Sequence, residues 1–237
     1  MSIPEDSLQS LILPTQWWVQ NSSRQLCRGA LVFAFVPHTD QVPYTFEPIG
    51  RTNSEEHNRA DVKVTPLKVD QPLKRVNLPV AAMTLHAGEV WAAYRAKKRP
   101  CLVLGSETPE VDKSVTRGMP KVSSAPTVLV APYYGADQDG KRAGYKPEFV
   151  ERIRHCDYPQ FLWDQLPISG ANESILRLDH TQPIGTHHNS YKLSEYRLSE
   201  EAMEIIDELI EWVVWGGVDE DSYVAMYRQT IEETFEK

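Results

Sequence analysis

The chain has 237 residues, of which 41% are hydrophobic and 24% charged, and a formal charge of −8; that is enough for one sizeable core or for a main domain plus a smaller one, and the chain reads as a soluble globular protein. No run approaches the ~18 uninterrupted apolar residues of a membrane span, and the opening MSIPEDSLQS has neither a basic flank nor an apolar stretch, so a cytoplasmic protein with no membrane attachment is expected. Cys27, Cys101 and Cys156 are odd in number and widely spaced, with no CxxC pair, which argues against disulfides and a structural metal; no cofactor is expected either.

In chain order, residues 1–22 read as a short helix or turn followed by an anchoring segment at Trp17, Trp18 and Val19. RGALVFAFVP (28–37) is a short apolar run bounded by Gly and Pro, as a buried strand would be. Pro43, Pro48, Gly50 and Asn53 mark turns around Tyr44 and Phe46, and ADVKVTPLKV alternates as another strand. A connector spans 68–82. CRGALVFA (27–34) and HAGEVWAA (86–93) echo each other, each placing a Gly before an alternating apolar run.

The second half holds three further strand-like runs, GEVWAAY (88–94), RPCLVLGS (99–106) and TVLVAPYY (127–134). Phe149, Ile153 and Cys156 stand at helical spacing, so an inserted helix is expected within 146–166, broken at Pro159. SILRLD (174–179) is a fourth strand. Ser199 suits an N-cap for an amphipathic helix running to Gly216-Gly217, and a last helix begins near Ser222. The expected class is α+β, built on a strongly curved sheet. The negative charge gathers at the end: residues 199–237 hold 12 acidic and 2 basic side chains, whereas 83–198 hold 13 and 15, leaving the middle free to present a basic groove.

Five motifs occur in the order in which the MazF/PemK toxins carry theirs: Gly88-Glu89-Val90-Trp91, Lys98-Arg99-Pro100 with its apolar run, Pro126-Thr127-Val128-Leu129-Val130-Ala131-Pro132, Arg177-Leu178-Asp179, and Leu198-Ser199-Glu200-Glu201. Residues 87–216 therefore resemble this family of ribosome-independent RNA-cutting toxins. The resemblance implies an SH3-like β-barrel over 83–217, preceded by a β-rich extension (1–82) and followed by an acidic helix (218–237). It also implies a metal-independent endoribonuclease acting on single-stranded RNA, a homodimer through the 199–215 helix and strand edges, and control by a cognate antitoxin. Arg99, Thr127, Arg177 and Asp179 are the implied catalytic set, with Lys97, Lys98, Tyr133 and Tyr134 as RNA contacts. One departure is that only Arg95 to Lys98 connect the first two strands so assigned, where the family has a long Gly-rich loop. That shortening supports an alternative, a binding module of the same fold, for RNA or a protein, without cleavage.

Metal-free RNA cleavage needs a base for the 2′-hydroxyl, a cation for the phosphorane and a donor to the leaving 5′-oxygen. Residues two apart on a strand share a face, so Arg177 and Asp179 point together and His180 away. Asp near pKa 4 beside Arg is a poor base at neutral pH. Asp179 either is partly buried or orients Arg177, with His180, His187 and His188 as the nearby groups that titrate in range.

Overall fold

The computed structural model describes residues 3–70, 88–105, 112, 114–115, 117, 127–136, 144–169 and 173–234. Its strands are β1 (Trp18–Gln20), β2 (Ala30–Pro37), β3 (Tyr44–Gly50), β4 (Asp61–Pro66), β5 (Ala92–Ala93), β6 (Ala96–Gly105), β7 (Thr127–Gly135), β8 (Phe161–Asp164), β9 (Ser174–Arg177), β10 (Gln182–Gly185) and β11 (Tyr191–Leu198). Its α-helices are α1 (Pro147–Arg154), α2 (Glu200–Trp215) and α3 (Tyr223–Thr234). The chain divides into two compact units, Met1–Phe35 with Lys98–Lys237, and Val36–Lys97.

The larger unit is built on an eight-stranded sheet in the order β1-β11-β2-β6-β7-β9-β8, with β10 also on β7. The β1–β11, β11–β2, β6–β7, β7–β10, β7–β9 and β8–β9 pairs are antiparallel, and among the described residues the path does not close into a barrel. β2 is central because Ala30, Leu31, Val32, Ala34 and Val36 are all buried. Gly29 opens it at φ +80°, where a Cβ would come within 3.3 Å of the Met203 side chain, so the strand starts directly against α2. The main core joins Leu31, Leu102, Ala131, Leu176 and Leu198 to Ile205, Ile206 and Leu209 of α2 and to Val224, Tyr227 and Ile231 of α3. A second cluster packs Val150 and Ile153 of α1 on Trp163 and Ile175.

Both ends of α2 follow from local chemistry. The Ser199 hydroxyl accepts from the Ala202 amide at 3.2 Å, and Gly216 at φ +83° returns its amide to the Trp212 carbonyl. Of the apolar stripe Met203, Ile206, Ile210, Val213 and Val214, the first two are buried in the chain's own core and Ile210 packs against it, while Val213 and Val214, with Trp215, are exposed at the helix end.

The structure corrects several sequence expectations. Gly88–Trp91 is not a strand, and from 88–94 only Ala92–Ala93 pairs, with β3 of the smaller unit. β6 lies instead beside β2, so the connection between these two neighbours is not Arg95–Lys98 but residues 38–95. The expected boundary at 82/83 lies outside the described residues, and residues 1–35 belong with the larger unit rather than to a separate extension. The helix expected within 146–166 ends at Arg154, after which the positive φ of Cys156 turns the chain and Phe161–Asp164 becomes a strand. No helix of the described residues is long and apolar enough to cross a membrane.

Candidate active site

Three neighbouring strands and a turn bring five of the chemistry-bearing side chains together. β6 pairs with β7 so that Cys101 faces Pro132 and Leu102 faces Ala131, and two residues further along the ladder Arg99 reaches Tyr134. The Arg99 guanidinium stacks 3.8 Å above the Tyr134 ring centroid. β9, on the other side of β7, ends at Arg177, whose guanidinium lies 5.5 Å from the same ring and 4.7 Å from that of Phe161, its register partner on β8.

Strand geometry stops at Arg177. Leu178–His180 forms a 3-10 turn, so the two-residue alternation that would point His180 away no longer applies. His180 instead sits between Tyr134 and Arg177, its Nδ1 2.8 Å from the Tyr134 hydroxyl and its Nε2 2.9 Å from Arg177 Nη2. A guanidinium can only donate, so Nε2 accepts there. The neutral ring therefore carries its proton on Nδ1 and donates it to the Tyr134 oxygen.

Asp179 binds Arg177 through both oxygens, accepting from Nε at 2.7 Å and from Nη2 at 2.5 Å. Hydrogen bonding to this carboxylate holds the guanidinium above its ordinary pKa, against the opposing effect of its partial burial. A carboxylate spent on both arms of an arginine orients it and is not placed to take a proton. Arg99 differs in having no carboxylate: its buried Nε has no hydrogen-bond partner among the described residues. Two guanidinia against one carboxylate leave the cluster with a net positive charge and a buried donor that an anion would satisfy.

The remaining sequence-predicted residues do not join this cluster. Thr127 begins β7 seven residues before Tyr134, about 23 Å along a strand, where it is exposed and pairs with Gly185. The β7 residue against Arg99 is Tyr134, through its ring face. Tyr133 alternates inward, 2% exposed, and donates its hydroxyl to Asp164 at 2.9 Å, so it presents no surface to a ligand. Lys97 is exposed, and Lys98 lies 5.9 Å above the Phe33 ring. His187 and His188 occupy the turn after β10, at the Thr127 end of β7, with His187 Nε2 2.7 Å from the Ser190 hydroxyl. Burial pushes the Cys101 and Cys156 thiols up to about 12, so neither is a nucleophile at neutral pH. Among the described residues no three His, Cys, Asp or Glu side chains converge as a metal-ligand set.

No protein-family model matches the chain, and no curated protein is significantly similar to it.

Proposed function

We propose that the protein is a metal-independent endoribonuclease of the MazF/PemK type, cutting single-stranded RNA by attack of a 2′-hydroxyl on the adjacent phosphorus. The observation that carries this reading is the convergence of Arg99, Tyr134, Arg177 and His180, oriented by Asp179. Further support comes from β2. It is the Gly-led apolar strand beside Lys98-Arg99-Pro100, so it takes the place in the resemblance first given to 88–91. The two strands are then linked by residues 38–95 rather than by the four residues 95–98, which weakens the argument from a shortened loop for a non-cleaving binding module.

In this mechanism Arg99 and Arg177 hold the two non-bridging phosphate oxygens. Arg177 Nη2 moves from His180 to the phosphate, and the freed Nε2 takes the 2′-hydroxyl proton. Nδ1 stays hydrogen-bonded to Tyr134, which fixes the ring as it becomes charged. The 2′-oxygen bonds to phosphorus as the bond to the 5′-oxygen breaks on the opposite side. Arg99 stabilises the departing charge, and water supplies the 5′-oxygen with its proton. The products are a 2′,3′-cyclic phosphate and a 5′-hydroxyl, with no metal in any step. In this reading the protein acts as the toxin of a toxin–antitoxin pair. A homodimer and a cognate antitoxin would engage the strand edges and the exposed end of α2.

The test is purified protein on mixed-sequence RNA in EDTA. Cleavage to 5′-hydroxyl ends is expected, slowed about 10²-fold or more by Arg99→Ala or Arg177→Ala, as loss of a transition-state donor would do. Undiminished cleavage in both variants sinks the assignment, and RNA that is bound but left intact at high protein concentration favours the binding module.

A further inference from the structure

The smaller unit has a recess of its own. β4, β3 and β5 form an antiparallel sheet, and just outside it the His38 amide donates to the Arg95 carbonyl at 2.8 Å. The chain then turns, with the Gln41 amide donating to the His38 carbonyl. His38, Gln41, Val42, Tyr44, Tyr94 and Arg95 thereby line a cavity of about 210 Å³.

Two features set this recess apart from an ordinary surface dimple. Tyr44 and Tyr94 are each 45% exposed, which leaves much of each ring open to solvent. Among the described residues, no hydrogen bond, ion pair or ring contact engages the side chains of His38, Gln41, Tyr44, Tyr94 or Arg95. An amide with both donor and acceptor, an imidazole and a guanidinium thus surround two tyrosines with their hydrogen-bonding capacity unspent. The lining contains no carboxylate, so an anionic group is not repelled. The volume is below the ~300 Å³ at which pockets for drug-sized ligands begin, which suits one flat ring system. An acidic peptide would use Arg95 but gain nothing particular from two tyrosine faces, whereas a nucleotide uses both: the rings stack its base, the amide meets the base edge and the guanidinium meets phosphate.

We propose that this recess is a nucleotide subsite, in which Tyr44 and Tyr94 stack one base of single-stranded RNA and Arg95 holds its phosphate. The assignment rests on the RNA-cleaving reading of the Arg99–His180 cluster and adds to it a place where substrate is gripped away from the reacting bond.

The experiment uses the full chain and fluorescein-labelled 2′-O-methyl octanucleotides of U, A or C, which cannot be cut because the attacking hydroxyl is blocked. Affinity is read by anisotropy, with cleavage of mixed-sequence RNA measured in parallel. Tyr44→Ala and Tyr94→Ala are each expected to weaken binding about tenfold, the usual loss for one stacked base. Tyr44→Phe and Tyr94→Phe, which keep the ring, are expected to bind as wild type. Arg95→Gln should lower the slope of log affinity against log salt by about one. Wild-type affinity in both alanine variants, with cleavage intact, overturns the subsite and leaves the nuclease reading standing. Equal losses in the phenylalanine and alanine variants overturn it too, because the ring face would then not be the contact. If the octanucleotides bind through the two tyrosines but no RNA is cut, the nuclease reading fails and the subsite survives. A protein that binds a phosphothreonine peptide and none of the octanucleotides overturns the subsite.

Discussion

Burial pushes the Asp164 carboxyl up to about 6, although Tyr133 and the Trp18 indole both donate to it, at 2.9 and 3.1 Å. Desolvation outweighs these and the smaller lowering effects of Trp17 and the Gln165 amide because the group is buried. Its folded-state pKa is raised above the ordinary 3.8, so the native state holds a proton that the unfolded chain has already released. Its contribution to stability is therefore full below about pH 4 and is lost as pH rises through about 6, a change on the order of 3 kcal/mol. Asp164→Asn keeps the shape and cannot ionise. Its stability relative to wild type, measured by urea unfolding, is expected to be higher at pH 7.5 than at pH 4 by roughly that amount; a constant difference across this range would show that Asp164 does not titrate this way. Asp179 gives the contrast. It has both oxygens on Arg177 and lies at the surface of the candidate site, so its charge is spent on positioning rather than hidden in the core.

α2 is closed by a cap at each end, and the N-terminal one is open to direct measurement. Ser199→Ala removes the acceptor for the Ala202 amide and is expected to cost about 1 kcal/mol, with Ser199→Thr largely restoring it; chemical denaturation of the three proteins decides, and equal stabilities would show the cap to be idle. This helix was legible in the sequence because an N-cap serine, acidic first turn, apolar stripe and glycine stop all agree. The buried strands β2, β6, β7 and β9 were legible for a similar reason, each being an apolar run too short for a helix. β10 and β11 were not, since QPIG and YKLSEYRL are polar and partly exposed and take strand form only through their partners. The choice between the two Gly-led echoes was equally closed to composition, because pairing with β6, not the local pattern, decides that Ala30–Pro37 enters the sheet. At the site, the Arg177–Asp179 pair was expected from strand alternation, but a 3-10 turn at Leu178–His180 is what brings the two side chains together. His180, named as a nearby titrating group, was expected to point away because the 3-10 turn after Arg177 is not visible in the sequence, and Tyr134 was undervalued against Thr127 because register is a property of two strands.

At the level of the molecule, the chain reads as one compact unit interrupted by another. Both hydrophobic clusters described above draw only on residues up to 35 and from 98 onward, so the larger unit has its core without the segment between. That segment also begins and ends at neighbouring points, because His38 and Arg95 are joined by a backbone hydrogen bond of 2.8 Å. A short linker can therefore close the gap at little strain, and a shorter loop loses less entropy on closure. Replacing residues 39–94 by a short Gly/Ser linker is expected to leave a soluble protein that unfolds cooperatively, with a melting temperature within about 5 °C of the full chain, a shift of roughly 1–2 kcal/mol. Arg99, Tyr134, Arg177 and His180 all remain in this protein, whereas Tyr44 and Tyr94 are gone. If the smaller unit grips RNA and the larger one cuts it, KM should rise about tenfold or more while kcat stays within a few-fold of the full chain, since binding lost equally from substrate and transition state leaves the chemical step alone. A fall in kcat with KM unchanged would mean that the excised segment acts in the transition state itself. Loss of cooperative unfolding would mean that the two units form a single fold.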